Sequence, residues 1–270
     1  MRIARFSLPG GDPSFGVVEL EADDGQFPGT VAAISGDPLA GPVKYTGARH
    51  KLGDVRLLAP VIPRSKIIAM GRNWAAHALE LGADLPQTPV VFIKPNTSII
   101  GPDEPVVKPV ECANLSYEGE LAIVIGRICR RVPPSRAAEV IFGYTCANDV
   151  TARDLQQNED QWTRAKGFDT FCPLGPWIVT DMSLAEAGDL SIVTTLDGQV
   201  VQDGSTAEMV RSIPEIVAFA SSFATLLPGD VLLTGTPPGV GPLLPGQRVS
   251  IEIDGIGTLT NPVVDEGTDK

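Results

Sequence analysis

The sequence predicts a β-rich α+β fold, and three observations carry that prediction. Glycine and proline number 28 and 24 among 270 residues, which favours many turns and short strands over a helical bundle. Two Asp-Gly pairs, Asp197-Gly198 and Asp254-Gly255, stand between strand-like runs and mark β-hairpins. Short apolar runs such as Leu121 to Ile125 and Val140 to Ala147 have the length of buried strands.

Taken in order, residues 1–61 read as a small β-rich domain and 62–270 as a larger second domain. MRIARFSL and SFGVVELEA look like paired strands around the turn-forming PGGDP, followed by VAAI and the DVRLLAP strand. His50, among polar residues in GARHKLGD, reads as a solvent-exposed histidine without a role. Pro60 and Pro63 mark the boundary, and KIIAM is a strand leading into GRNWAAHALELG, where Asn73 suits a helix N-cap and Gly82 a helix end. On that helix His77 and Glu80 stand at i and i+3, within reach of each other. A carboxylate beside an imidazole orients the ring and raises its basicity, the pairing a general base needs. VVFIK follows as a strand, with Lys94 at its end reading as a substrate contact or, in preference, as a solvated strand terminus.

The stretch from Ser116 to Asp149 organises the rest. Side chains alternate along a strand, so Glu118 and Glu120 point one way and Gly119 the other. Two carboxylates in one small volume repel unless a cation sits between them or one takes up a proton. Such a pair is commonly the solvated face of an ordinary sheet, but the apolar run after it puts the pair at the mouth of a buried strand. The second apolar run delivers Asn148 and Asp149 to another strand end. Three carboxylates without histidine make a hard oxygen site, suited to Mg²⁺ or Mn²⁺ and poorly suited to Zn²⁺.

Beyond it, TARDLQQNEDQW reads as a helix start, with Arg153 and Asp154 solvated, and Lys166 falls in a loop before a strand. A lysine held near a carboxylate cluster binds an anionic substrate or steadies a developing negative charge. Ser212 and Glu215 form a capping box for the last helix. GDVLLTGTPPGVG lacks the G-K-[ST] ending, which excludes a nucleotide P-loop, while backbone N–H groups around Gly235 and Thr236 can hold a carboxylate.

The charge balance is 21 − 33 = −12, with a pI near 4.6, so nucleic acid and anionic membrane surfaces are excluded as partners. The N-terminus lacks the apolar core of a signal peptide and no apolar run approaches membrane-spanning length, so the expectation is a soluble cytoplasmic protein. Cys112, Cys129, Cys146 and Cys172 show no C-x-x-C spacing and read as reduced, packed thiols. With only His50 and His77, a histidine-rich metal cluster is excluded by counting.

GRNWAAH with Glu80, FIKPNTSIIGP, YEGELAIVIG, NDVTARDLQ, W-x-R-AKGFDTF-x-PLGPW and LTGTPPGVGP, in collinear order from about Ile62 to Val264, together resemble the fumarylacetoacetate hydrolase superfamily. Within it the chain is most similar to the bacterial acylpyruvate hydrolase, oxaloacetate decarboxylase and 2-hydroxyhepta-2,4-diene-1,7-dioate isomerase branch of aromatic catabolism. The resemblance implies a mixed β-roll or sandwich catalytic domain, a homodimer, and Mg²⁺ or Mn²⁺ held by Glu118, Glu120 and Asp149. It places a His–Glu dyad on His77 and Glu80 in a lid segment, the family's lysine on Lys166, and substrate contacts on Arg72, Gln156 and Thr236. Trp74 stands where a tyrosine is commoner, which bears on pocket polarity. The activity implied is cleavage of a C–C bond in small 2-oxo dicarboxylates or acylpyruvates, by decarboxylation or hydrolysis, through an enolate that the cation stabilises. The alternatives are the 2-hydroxyhepta-2,4-diene-1,7-dioate isomerase or 5-carboxymethyl-2-oxo-hex-3-ene-1,7-dioate decarboxylase of aromatic catabolism, the isomerisation breaking no C–C bond, and a β-rich binding domain that has kept only the scaffold.

Overall fold

The computed structural model describes residues 1–20, 29–80, 82 and 84–267. The chain opens on an antiparallel meander of β1 (Arg2–Ser7), β2 (Ser14–Glu19), β3 (Thr30–Ile34) and β4 (Tyr45–Lys51), with β5 (Arg56–Leu58) returning beside β1. The last two residues of the SFGVVELEA run, Glu21 and Ala22, lie outside the described residues. Nearly every residue of β4 is exposed, so it carries no apolar alternation that a reading of the sequence could detect. His50, at its end, is half-buried rather than exposed, with its ring 5.8 Å from that of Phe6.

The next segment supplies β6 (Ile67–Gly71), α1 (Ala75–Glu80), β7 (Val90–Lys94), and the short strands β8 (Ile99–Ile100), β9 (Val106–Lys108) and β10 (Leu115–Ser116). The expected final residue of the α1 helix, Leu81, lies outside the described residues. Then come β11 (Gly119–Ile125), β12 (Ile141–Asn148), β13 (Thr151–Ala152), α2 (Arg153–Asn158), α3 (Thr163–Gly167) and β14 (Cys172–Val179). Lys166 therefore belongs to a one-turn helix, not to a loop. The remainder forms α4 (Leu184–Ala187), β15 (Ser191–Leu196), β16 (Gln199–Ser205), α5 (Ile213–Phe223), β17 (Val231–Leu233), β18 (Arg248–Ile253) and β19 (Gly257–Asp265). Both expected hairpins form, β15 with β16 and β18 with β19. The capping box forms too, with the Ser212 N–H donating to Glu215 Oε2 at 2.8 Å.

Among the described residues the large sheet runs β4-β3-β2-β1-β14-β12-β11-β17-β6-β7, and a five-stranded sheet runs β16-β15-β18-β19-β9. Pairing is mixed: β17 lies parallel to β6 and antiparallel to β11. The first strands join the large sheet through β1, whose Arg2 and Ile3 pair with Val179 and Ile178. Every residue of β11 is buried, and its alternate side chains enter two different cores. Leu121, Ile123 and Ile125 pack with Ile251 and Ile253 of the small sheet and with Ile216 and Val217 of α5. Ala122 and Val124 pack on the other side with Phe92 of β7 and Leu174 of β14. One apolar cluster thus runs across this face of the sheet from β7 through β6, β17, β11 and β12 to β14. At about 1.5–3 kcal/mol per fully buried large apolar side chain, a strand buried on both faces is held firmly in register. No helix among the described residues is long and apolar enough to cross a membrane.

Candidate metal centre and active site

The acidic cluster forms where β11 begins and β12 ends. Gly119 pairs with Asn148, so the antiparallel register brings Glu118, Glu120 and Asp149 to one end of the sheet. The junction is tied by the Asp149 N–H donating to Glu118 O at 2.9 Å and the Glu118 N–H donating to Asn148 Oδ1 at 2.9 Å. Gly119 faces the small sheet, where an added Cβ would crowd the Thr194 hydroxyl and meet Ile251 at 3.2 Å. Both glutamates thus turn to the opposite face. Oxygens of Glu118, Glu120 and Asp149 all lie within 4.8 Å of one another, and all three residues are buried.

Three cationic side chains surround them. Lys166 Nζ donates to Glu118 Oε2 at 2.8 Å and to Asp149 Oδ2 at 2.7 Å. Lys94, expected as a solvated strand end, is fully buried and pairs with Asp149 Oδ1. Arg153, also expected in solvent, is buried and pairs with Glu118 Oε1. Asp154 instead accepts from the Ala113 N–H at 3.0 Å near the surface. Burial by itself would raise the Glu118 carboxyl, but Lys166 and Arg153 outweigh it and hold that group well below the usual carboxylate range. Glu120 goes the other way: burial, then the charges of Asp149 and Glu118, push it well above the ordinary value. Its Oε2 accepts from the Gly235 N–H at 2.7 Å. An all-oxygen donor set with one carboxyl that burial and its acidic neighbours shift upward fits a hard divalent cation, which would relieve that repulsion.

A cavity of about 310 Å³ opens over this cluster. Arg72, His77, Gln156, Lys166 and Thr236 line it together with Glu118 and Asp149, while Glu80 and Glu120 stand behind. Nine residues expected from five separate segments are thus brought together. On α1, His77 Nδ1 lies 3.1 Å from Glu80 Oε2, leaving Nε2 as the nitrogen free to exchange a proton. Glu80 is itself anchored by the Gly239 N–H, which donates to Oε1 at 3.0 Å. Gln156 Oε1 accepts from Arg153 Nη1 at 2.9 Å. The Thr236 hydroxyl donates to Gly119 O at 2.8 Å and accepts from Gln202 Nε2 at 2.8 Å.

One wall is aromatic. Phe92 and Trp162 meet edge to face with centroids 5.5 Å apart, Arg72 stands 6.0 Å from the Trp162 ring centre, and Lys166 Nζ is 5.0 Å from that of Phe92. Phe92, Arg153 and Trp162 carry no role in the sequence reading, and for Lys94 the preferred solvated end gives way to a buried counter-charge. The only signal for them is their position inside the same motifs, at FIK, TAR and W-x-R. Trp74 is corrected as well: it is buried in the main core and does not line the cavity, so it does not set pocket polarity. Asn73 is no helix cap, since its amide is spent on residues 211 and 234.

The family described as fumarylacetoacetate (FAA) hydrolase C-terminal matches residues 66–264, and one described as Rv2993c-like, N-terminal, matches residues 1–60. Protein Rv2993c of Mycobacterium tuberculosis is 49% identical over 271 residues, covering 99% of both chains. The mitochondrial oxaloacetate tautomerase of Xenopus laevis is 43% identical, covering 78% of this chain and 69% of its own. Among solved structures, the 5-carboxymethyl-2-hydroxymuconate delta-isomerase of Mycobacterium smegmatis superposes with a TM-score of 0.89 at 49% identity, covering 98% of this chain and 100% of its own. The maleylpyruvate hydrolase of Sphingobium sp. SYK-6, in complex with manganese (II) and pyruvate, gives 0.79 at 33% identity, covering 98% and 99%.

Proposed function

The chain belongs to the fumarylacetoacetate hydrolase family, and from that premise we propose that it is a Mg²⁺- or Mn²⁺-dependent enzyme that cleaves a C–C bond in small 2-oxo dicarboxylates or acylpyruvates. The observation that carries this reading is the convergence of three buried carboxylates within 4.8 Å, two of them, Glu118 and Asp149, lining a cavity that also presents His77, Lys166 and Arg72. The manganese and pyruvate of the Sphingobium relative support the choice of cation and of a 2-oxo acid.

In this proposal Glu118, Glu120 and Asp149 would hold the cation, which would supply positive charge to stabilise an enolate of a 2-oxo acid. Arg72, at the aromatic wall, takes a substrate carboxylate, and Gln156, fixed by Arg153, and Thr236 orient the rest. In hydrolysis, His77 Nε2 removes a proton from water while Glu80 steadies the imidazolium through Nδ1. The water oxygen bonds to the distal carbonyl carbon, the bond from that carbon to C3 breaks, and its electron pair stays on the pyruvate fragment. Lys166 stands beside the charge so formed, and a proton returned to C3 completes pyruvate and a free acid. In decarboxylation the same electron pair comes from a departing carboxylate, and no water need be activated. Pairing of two such chains as a homodimer is part of the proposal, checked by analytical ultracentrifugation.

A second reading is proton transfer without bond cleavage, favoured by the isomerase and tautomerase names of relatives that match at 49% and 43% identity. Assaying oxaloacetate, acetylpyruvate and fumarylpyruvate side by side, with Mg²⁺ or Mn²⁺, separates the two. The first reading expects cation-dependent pyruvate release that chelation stops. Loss of the enol or diene absorbance without pyruvate favours the second. A non-catalytic scaffold would show neither, and its melting temperature would not rise with Mg²⁺ plus oxalate.

A further inference from the structure

Arg72 sits in the turn between β6 and α1 with φ of 56°, in the left-handed region that residues other than glycine rarely occupy. It lines the cavity and makes no ion pair with any described residue, and its guanidinium stands 6.0 Å from the Trp162 ring centre. A backbone held in that region persists only where its surroundings over-determine it. The surroundings here converge on the next residue. Asn73 is buried, and its Nδ2 donates to Thr234 O at 2.8 Å and to Arg211 O at 3.2 Å. Its Oδ1 accepts from the Arg211 N–H at 2.9 Å, and its backbone carbonyl accepts from the Val210 N–H at 2.7 Å. Trp74 adds a bridge to Met209. One amide thus joins the turn to two segments, 138 and 161 residues downstream, without lining the cavity itself.

We propose that Asn73 is a positioning residue, whose hydrogen bonds hold the turn so that Arg72 keeps its left-handed backbone and presents its guanidinium to the carboxylate of the substrate. The inference rests on the preceding reading for what Arg72 meets. Its mechanical part is independent of the reaction: Asn73 acts on anion binding through Arg72, and its hydrogen-bonded link toward the acidic cluster is indirect, through Thr234, whose neighbour Gly235 donates its N–H to Glu120.

Calorimetry with Mn²⁺ alone, and then with oxalate added to Mn²⁺-loaded protein, tests this on the full chain. Asn73→Ala is expected to weaken oxalate binding by about tenfold or more, the size of effect typical of a supporting partner, while Mn²⁺ affinity alone stays within about threefold. Arg72→Ala should weaken oxalate comparably, and adding Asn73→Ala to it should cost less than about a further twofold, because the two act as one unit. Losses that multiply would overturn the proposal, as would unchanged oxalate binding in Asn73→Ala, or equal losses for Mn²⁺ and oxalate, which signal general loosening. Arg72→Ala without effect on oxalate counts against Arg72 as a substrate contact, hence against the reading beneath; a loss there that Asn73→Ala does not reproduce counts against positioning alone. Should Asn73→Ala not fold, Asn73→Asp, which keeps the acceptor for Arg211 and loses both donors, runs the same cycle.

Discussion

Lys94 and Asp149, 55 residues apart in the chain, form a fully buried ion pair beside the acidic cluster. Lys166 occupies the other Asp149 oxygen, so that carboxylate is gripped from both sides. Lys94 does not line the cavity whereas Lys166 does, which makes the first a fixed counter-charge and the second the one within reach of a bound molecule. Replacing Lys94 removes one of the two buried cations that compensate Asp149 and leaves Lys166 shared between Asp149 and Glu118. Lys94→Met is therefore expected to destabilise the fold by about 3 kcal/mol, read as a fall in the urea midpoint.

Glu120 sets a pH dependence. Its folded-state value is raised above the ordinary 4.5, so the bound proton stabilises the folded chain. That contribution is complete below 4.5 and is lost as pH rises through the raised value. Glu118, held low, acts in the opposite sense and only below the ordinary value, so the two windows do not overlap. Metal-free wild type should lose melting temperature relative to Glu120→Gln as pH rises above 4.5, and saturating Mg²⁺ should close the gap. Parallel pH profiles for the two proteins without metal would contradict this.

Cation uptake should also expel the Glu120 proton. Titration with Mn²⁺ in buffers of different ionisation enthalpy is expected to show release of up to about one proton, with affinity rising as pH rises. Glu118→Ala or Asp149→Ala should lower Mg²⁺-dependent turnover by about a thousandfold without unfolding the chain, as circular dichroism would report.

His77→Ala separates the two cleavage chemistries. Loss of a positioned base costs typically about 10²–10⁴-fold, and only hydrolysis needs a water activated. Acylpyruvate hydrolysis should fall by that amount while oxaloacetate decarboxylation falls far less. Equal losses on both substrates would remove the assigned role.

Gly119→Ala tests the floor of the site from behind. A methyl group there would crowd the Thr194 hydroxyl and approach Ile251 at 3.2 Å, in a part of the core that cannot yield without shifting Glu118 and Glu120. Overpacking of about 1–3 kcal/mol is expected, together with weaker Mn²⁺ binding. Wild-type stability and affinity in that variant would show that the small sheet yields freely.

The E-x-E spacing, the i and i+3 dyad and both Asp-Gly hairpins were legible in the sequence because each is a local pattern with a period or a turn chemistry behind it. The burial of Lys94 and Arg153 was not, since a basic residue at a strand or helix end looks the same whether its counter-charge is water or a carboxylate from a distant segment. α3 escaped notice because five residues are too few for helical periodicity to register. Asn73 shows a related limit: a residue type suited to a cap finds, in the folded chain, better partners than the helix offers. Trp74 likewise gives no local sign that it faces the core.

The place of β17 between β11 and β6 has a consequence for how the protein is made. Until Val231–Leu233 has left the ribosome, β11 and β6 can pair with β12 and β7 but each keeps its other edge open, and the amide of Gly235 cannot seat Glu120. Nascent chains thus carry every acid of the cluster long before they can arrange them, so a premature stop upstream yields a polypeptide with the right residues and no working centre.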